Sequence, residues 1–222
     1  MNKISLVLAT YQANIPMLHK ALECSDLFDE VILHINDKLT GSMVDVPKNC
    51  KVIYQEERCS VQDALNQAIL VASGNYILPF TDDDYFDREG LIDALYYTRM
   101  SIEQNDVIYY PVYVGNESDG WKKWAESKIS FAELLKRNLI PFSSIYKKSI
   151  WLRVRGYKQV PFSDWFFWLE VLQKKYKFTF LPGPVYYHRN GHKITLANQE
   201  SKQYNPEQIR EIFQKRLGVN NG

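Results

Sequence analysis

The chain has 222 residues, of which 45% are hydrophobic and 24% are charged, and its formal net charge is +1. This composition is ordinary for a globular domain, and the nearly balanced charge argues against nucleic acid as a partner. No secretory signal or bilayer-spanning apolar stretch is recognisable, which favours a cytoplasmic protein and leaves peripheral association with the inner face of a membrane open. The three cysteines lack metal-type spacing and indicate reduced thiols. Oligomeric state is not encoded in any recognisable pattern.

The first part of the chain alternates strand-like and helix-like segments. Short apolar runs predict three strands, at residues 4–9, 31–35 and 51–54. Helical spacing predicts one helix that begins near Asn14 and a second that begins after Ser60, with Gly74 closing the second. Ser60 and Asp63 have the spacing of a capping box. With the next strand, this is the β-α-β-β-α-β order of a parallel sheet covered by helices.

That next strand, residues 76–80, is followed closely by Asp82, Asp83 and Asp84. Ligands of open α/β sheets gather beyond the carboxyl ends of strands, and adjacent carboxylates repel one another unless a cation lies between them. Mg²⁺ and Mn²⁺ typically take one or two carboxylates together with phosphate oxygens. One interpretation is a site where metal and diphosphate meet. The other is a solvated acidic turn, with Asp87 capping the following helix.

The second part of the chain mixes short elements with aromatic residues. A helix is predicted from Asp87 through Ile102, then a strand over residues 107–114, bent or placed at a sheet edge by Pro111. Residues 115–128, with Trp121 and Trp124, are predicted as a polar loop, and its indoles either stack on a ligand or lie in the core. Further helices are predicted at residues 131–137, 149–154, from Asp164 and from Pro206, and further strands at 143–146, 177–181 and 185–188. The tail helix is expected to pack on the body.

Four stretches together resemble family-2 glycosyltransferases of the GT-A fold, and they span nearly residues 1–195. They are the strand end Ala9-Thr10-Tyr11, the helix Ser60–Asn66 with Ala72–Ile77, the acidic Thr81–Asp84, and the aromatic Ser163–Leu169. Each is a weak signal alone, but their order and separation make the combination specific. The last stretch is similar to the family segment that presents a catalytic base.

The resemblance implies an α/β fold with a mixed, mostly parallel GT-A sheet flanked by helices, in a single domain with a C-terminal helical tail. The expected divisions are a glycosyltransferase domain over residues 1–200, split into a nucleotide-sugar-binding half, 1–105, and an acceptor-binding half, 106–200, followed by a helix in 201–222. The implied reaction is inverting transfer from a nucleotide-sugar, a UDP-sugar in the first instance, to a hydroxyl of a glycan or glycolipid in polysaccharide biosynthesis. Mn²⁺ or Mg²⁺ is the implied cofactor.

The same resemblance assigns roles to individual residues. Asp164 is the general base, and its aromatic neighbours Trp165 and Phe162 are expected to raise its pKa by desolvation. The residues assigned to the nucleotide-sugar are Thr10, Tyr11, Asp37, Asp63 and Asp82. The residues assigned to the metal are Asp83, Asp84 and His188. If the acidic motif aligns with the family pattern one residue differently, Asp82 and Asp84 take the place of Asp83 in these assignments. His192 is the alternative to His188, and Arg189 is either a phosphate contact or a solvated charge.

The chain departs from the family pattern at several positions. Thr81 stands where the family has an acid, Ser60 where it usually has Gly, and Ser163 where a Glu precedes the base. These departures bear on nucleotide identity and metal dependence more than on the fold. Two rival functions stay open, a sugar nucleotidyltransferase and a nucleotide-sugar-binding subunit without turnover. The first is disfavoured because no glycine-rich basic loop follows the first strand.

Overall fold

The computed structural model describes residues 2–38, 44–100, 105–124, 126–189 and 202–219. Its centre is a seven-stranded sheet with the order β10-β6-β9-β4-β1-β2-β3, in which only β9 runs antiparallel to its neighbours. These strands are β1 Ile4–Thr10, β2 Glu30–Ile35, β3 Cys50–Tyr54, β4 Tyr76–Phe80, β6 Val107–Tyr109, β9 Ile145–Lys147 and β10 Phe178–Phe180. The predicted mixed, mostly parallel sheet is confirmed.

Helices cover both faces of this sheet. They are α1 Ile15–Leu22, α2 Val61–Val71, α3 Arg88–Met100, α4 Phe131–Lys136, α5 Lys148–Val154, α6 Ser163–Gln173 and α7 Pro206–Leu217. Side chains alternate along a strand, so β1 supplies Val7 to one hydrophobic core and Leu6 and Leu8 to the other. The first core includes α2, α5, α6 and α7, and the second includes α1 and α3. In the part of the chain that the structure describes, no helix is long and apolar enough to cross a bilayer.

Pro111 separates two strands that the sequence predicts as one. Strand β6 ends at Tyr109 in the main sheet, and β7, Val112–Asn116, begins in a second sheet. That sheet has the order β5-β11-β7-β8, with β5 Tyr85–Phe86, β8 Gly120–Trp124 and β11 Tyr186–Arg189. The loop predicted over residues 115–128 is therefore wrong in part. Because proline lacks the backbone N–H that a continuous ladder requires, the chain changes sheets at this position.

Gly74 lies beyond the end of α2, so the prediction that this glycine closes the helix is wrong. The helix ends at Val71, and the C-cap Ala72 is already extended. Gly74 instead lies against β1, where an added Cβ would come within 2.3 Å of Ser5 Oγ and 2.8 Å of Ser5 N. The glycine is needed for this close approach of two backbones, and its N–H donates to Ser5 Oγ at 3.0 Å.

The tail helix α7 packs on the body, as predicted. Asn205 and Gln208 form a reciprocal capping box at its start, with Pro206 in the first turn. Phe213 is fully buried, with its ring centroid 5.1 Å from that of Trp165 and 5.2 Å from that of Phe166. The helix thus covers the aromatic segment that carries Asp164.

Candidate active site

The carboxyl ends of β1, β2 and β4 meet at one edge of the main sheet and bring three predicted residues together. The hydroxyl of Thr10, at the end of β1, donates a hydrogen bond to Asp82 Oδ2 in the acidic turn after β4. Asp37 follows β2 and accepts a hydrogen bond from the backbone N–H of Gln12 at 2.8 Å. Thr10 and Asp37 are buried, and Gln12 adopts a positive φ of 50° in the loop after β1. Polar groups from three strands therefore line this rim.

An exposed aromatic residue lies beside this rim. The guanidinium of Arg58 lies over the ring of Tyr11, 4.3 Å from the centroid, in a cation–π contact. The loop that carries Arg58 is fixed by Asn36, whose amide donates to Cys59 O at 2.8 Å and accepts from Cys59 N at 2.9 Å. Sequence reasoning missed Arg58, because nothing distinguishes it from a solvated charge in a polar loop.

Asp63 lies at the N-terminus of α2, where it belongs to the cap. Its backbone N–H donates to Ser60 Oγ at 3.0 Å, and the Ser60 hydroxyl donates to Asp63 Oδ2 at 2.7 Å. Gln159 also donates to Ser60 Oγ, at 2.6 Å. The predicted capping arrangement is confirmed in a modified form, since the Asp63 carboxylate binds a hydroxyl in place of a backbone N–H. These contacts join α2 to the segment that precedes α6.

Asp84 ties the acidic turn to the second sheet. Its Oδ1 accepts a hydrogen bond from the backbone N–H of Arg189 at 2.9 Å, and its Oδ2 lies 3.0 Å from Nδ1 of His188. The Asp84 side chain is only 2% exposed, whereas that of His188 is 48% exposed. Asp84 therefore orients the imidazole of His188 through Nδ1, which leaves Nε2 of His188 available for a ligand.

His188 connects the acidic turn with the predicted base. Desolvation opposes protonation of its imidazole, but the hydrogen bond to Asp84 and the charges of Asp84, Asp83 and Asp164 outweigh desolvation and raise the pKa of His188. Carboxylates from the acidic turn and from α6 therefore act on the same imidazole. Asp83 and Asp164 are thus both within electrostatic range of His188, although they lie far apart in the sequence.

Asp164 lies in the first turn of α6, after Phe162 in a left-handed conformation with a φ of 49°. Burial raises the pKa of the Asp164 carboxyl. Backbone N–H groups of Trp165 and Asp164, the amide of Asn138 and the charge of His188 act in the opposite direction. Asn138 Nδ2 donates to Asp164 Oδ2 at 3.0 Å, while Asn138 Oδ1 accepts from Ile140 N at 3.2 Å. Sequence reasoning missed Asn138, since a polar residue after a short helix carries no signal.

Asp82 in the acidic turn is difficult to ionise. Burial is the main reason that the pKa of Asp82 is raised from 3.8 to about 6, with the charges of Asp83 and Asp84 adding to it and the Thr10 hydroxyl opposing it. Among the described residues no group of three or more His, Cys, Asp and Glu side chains has a metal-binding arrangement. The side chains at the acidic turn that could hold a divalent metal are the Asp83 carboxylate and the His188 imidazole, since carboxylate oxygens and imidazole nitrogens are both metal ligands.

His192 lies outside the described residues. Arg189 donates its backbone N–H to Asp84, and its guanidinium has two nitrogens, Nε and Nη1, that are shielded from solvent and have no hydrogen-bond partner among the described residues. Trp121 is partly buried in β8 beside the rings of Tyr85 and Tyr187. Trp124 packs against the second core.

Comparison with known proteins identifies the class of the chain. The sequence model of the family "Glycosyl transferase family 2" matches residues 5–160. This chain therefore belongs to glycosyl transferase family 2, which confirms the family resemblance. The matched residues include the first three motifs, and the fourth, Ser163–Leu169, lies beyond them. A search of curated proteins found no match.

Solved structures with the same fold include two glycosyltransferases. S. aureus TarS 1–349 is 18% identical with a TM-score of 0.63, and the match covers 84% of this chain and 60% of TarS 1–349. The same TarS fragment in complex with UDP-GlcNAc gives 16% identity, a TM-score of 0.66, and coverage of 88% and 60%. The mannosyltransferase PcManGT from Pyrobaculum calidifontis, in complex with GDP-Man and Mn²⁺, is 12% identical with a TM-score of 0.63, over 98% of this chain and 70% of that one. The chain thus has the GT-A fold and spans about three fifths of the TarS fragment.

Proposed function

We propose that this protein is an inverting glycosyltransferase that moves a sugar from a nucleoside diphosphate donor, a UDP-sugar in the first instance, to a hydroxyl of a glycan or glycolipid. The observation that carries the proposal is the position of His188. Its Nδ1 lies 3.0 Å from Oδ2 of Asp84 in the acidic turn, and the charges of Asp83 and Asp164 also raise its pKa. These interactions support a single site for the diphosphate-binding group and the base. TarS and PcManGT, which share the fold, bind UDP-GlcNAc and GDP-Man.

The donor would lie along the rim formed by the strand ends. Thr10, Tyr11 and Asp37 come from β1 and β2 and are proposed to hold the nucleoside. Asp82 is proposed to contact the ribose, because its hydrogen bond with Thr10 holds it at the same rim. The role proposed for Asp63 is indirect, since its carboxylate accepts a bond from Ser60 and so sets the start of α2 next to this rim.

A divalent metal, Mn²⁺ or Mg²⁺, fits the donor set at the acidic turn. Asp83 and His188 would hold it, and the buried Asp84 would orient the imidazole and keep the proton on Nδ1. This arrangement assigns Asp84 to positioning rather than to direct ligation, because both of its oxygens already have partners. When bound, such a metal offsets the negative charge that develops on the diphosphate leaving group.

Asp164 is proposed to accept the proton of the acceptor hydroxyl. The new bond forms between that oxygen and the anomeric carbon as the bond to the diphosphate breaks, and attack from the opposite face of the sugar inverts its configuration. Burial raises the pKa of Asp164, which strengthens it as a base, while the Asn138 amide keeps its carboxylate form accessible. The hydrogen bond between Asn138 and Ile140 N fixes the direction of that amide.

Calorimetry with UDP and GDP, with and without Mn²⁺, tests the donor part of the proposal. We expect one nucleotide to bind at least tenfold more tightly with Mn²⁺, and we expect Asp83→Asn to abolish the effect of the metal. Asp93→Asn is the matched control, because Asp93 is an exposed carboxylate on α3. Equal binding of both nucleotides with no metal effect would contradict the proposal and favour a different class of protein.

A further inference from the structure

Asn66, the last residue of the motif that opens α2, holds the chain segment that leads to α6. Its Oδ1 accepts hydrogen bonds from Trp151 Nε1 at 3.1 Å and from Tyr157 N at 2.9 Å. Its Nδ2 donates to Tyr157 O at 2.9 Å. One side-chain amide therefore binds both backbone polar groups of Tyr157, as a neighbouring strand would. These bonds fix residue 157 against the middle of α2.

The backbone before Tyr157 is shaped for this contact. Arg155 and Gly156 are both left-handed, with φ values of 63° and 74°, and the reversal that they make follows the end of α5. A Cβ at Gly156 would lie 2.6 Å from Asn66 Oδ1. Glycine both adopts this conformation readily and leaves room for the amide, so the reversal and the bonds of Asn66 are built together.

A second hydrogen bond joins the same segment to the start of α2. Gln159 Nε2 donates to Oγ of Ser60, the N-cap of the helix, at 2.6 Å. Residues 157–159 therefore lie along the first half of α2. The residues immediately before Ser60 form the loop that carries Arg58, beside the rim of strand ends. Helix α2 thus contacts the donor rim at its start and the segment that leads to the base along its side.

The side chain of Tyr157 extends this connection to the base. Its ring centroid lies 4.8 Å from that of Phe167, which is one turn beyond Asp164 in α6. Its hydroxyl lies 3.2 Å from that of Tyr146, and both side chains are buried. Burial is the main cause that raises the pKa of Tyr157, and the charge of Asp164 adds to it, so the carboxylate lies within electrostatic range of this hydroxyl. A movement of Tyr157 would therefore be transmitted to the first turn of α6.

We propose that Asn66 is a positioning residue for the transfer reaction: by fixing Tyr157 against α2, it sets where Asp164 stands relative to the donor rim. A general base acts only within hydrogen-bond reach of the proton that it accepts, and a misplacement of about 1 Å can cost about 10²-fold in rate. The role of Asn66 is indirect, since it acts through Tyr157. This inference rests on the proposed transferase function and adds a residue that the reaction requires.

The test compares Asn66→Ala with Trp151→Phe in the full chain. Asn66→Ala removes both bonds to Tyr157, whereas Trp151→Phe removes only the indole donor to Asn66 and keeps the pairing with Tyr157. UDP release from a UDP-sugar is measured at a temperature at which both variants are folded. In Asn66→Ala we expect kcat to fall about 10- to 100-fold while KM for the UDP-sugar stays within about threefold. In Trp151→Phe we expect kcat within about twofold of the wild type, even where its Tm falls as far.

Asn66→Asp is the second variant if Asn66→Ala does not fold. It keeps the shape of the side chain and the acceptor for Tyr157 N, but its carboxylate cannot donate to Tyr157 O, so the same split between kcat and KM is expected. A purely structural role would lower Tm in the Asn66 and Trp151 variants alike and leave kcat of the folded enzyme unchanged. That result, an equal loss of kcat in Trp151→Phe, or a loss of UDP affinity equal to the loss of rate would overturn the proposal.

NMR on the ¹⁵N-labelled full chain gives a readout without turnover, so the two proposals fail separately. The side-chain amide of Asn138, which donates to Asp164 at 3.0 Å, reports the position of the carboxylate and is assigned through Asn138→Ala. Its signals should shift in Asn66→Ala and stay in place in Trp151→Phe. Shifted signals in a protein that never releases UDP from a UDP-sugar would refute the transferase and leave the link from Asn66 to Asp164. Unmoved signals in Asn66→Ala, with UDP release intact in the wild type, would refute the positioning role alone.

Discussion

Asn138 provides a side-chain hydrogen bond that lowers the pKa of Asp164. The Asn138 amide donates to Asp164 Oδ2 at 3.0 Å, and a hydrogen bond to a charged acceptor contributes about 1.5–3 kcal/mol. That bond favours the carboxylate over the neutral acid, whereas burial has the opposite effect. Asn138→Ala removes the donor, so the pKa of Asp164 should rise further. Because a general base must be ionised, the ionised fraction below that pKa should fall about 10- to 100-fold.

The assay is the pH dependence of kcat/KM for UDP release from a UDP-sugar. In the wild type the rate should rise with pH through the pKa of Asp164, which lies above the ordinary value of 3.8 for an aspartate. In Asn138→Ala this limb should move to higher pH, while the rate on the alkaline plateau falls much less. Arg137→Ala is the control, since its exposed ion pair with Glu126 should leave the profile unchanged. A uniform loss of rate at all pH values in Asn138→Ala would refute the reasoning.

Three further predictions concern stability, measured by urea unfolding. Gly74→Ala should cost about 1–3 kcal/mol, because its Cβ would fall 2.3 Å from Ser5 Oγ; unchanged stability would contradict the close packing. Phe213→Ala should cost about 3–5 kcal/mol, whereas the exposed Met100→Ala should stay within about 0.5 kcal/mol. In metal-free buffer Asp82→Asn should be more stable than wild type by up to about 3 kcal/mol at pH 7.5 and equal to it near pH 4. The raised pKa of about 6 means that ionisation of Asp82 destabilises the fold as pH rises from 4 to 6, and a wild type with constant stability there would contradict this.

Much of the main sheet was predictable because its central strands, β1, β2 and β4, are buried on both faces. Continuous apolar runs such as Ile4–Thr10 and Tyr76–Phe80 have few alternatives to a central strand, and their polar ends indicate the binding edge. The second sheet was not predictable in the same way. Strand β5 has two residues, and β8 is polar and half exposed, so neither shows a clear period. Pro111 was recognised as a disruption, but only tertiary contacts show that it moves the chain into another sheet.

The candidate site was predictable where its residues follow strands and not where long-range contacts create it. Thr10, Asp37 and Asp82 converge because parallel strands end at one edge, which spacing alone suggests. The contact of Asp84 with His188 joins residues 104 positions apart, and that of Asn138 with Asp164 joins the loop after α4 to the first turn of α6. No periodicity encodes such pairs. The family resemblance pointed to Asp83 and Asp164. The structure added residues such as Asn138, whose contacts no sequence pattern predicts.

The proposed mechanism depends on Asp164 accepting the proton of the acceptor hydroxyl that attacks the donor sugar, and Asp164→Asn tests this role most directly. We expect UDP release from the UDP-sugar to fall by about 10²–10⁴-fold, while the affinity for UDP in the presence of Mn²⁺ stays within about threefold of the wild type. Full activity in Asp164→Asn, or loss of nucleotide binding equal to the loss of rate, would contradict the account.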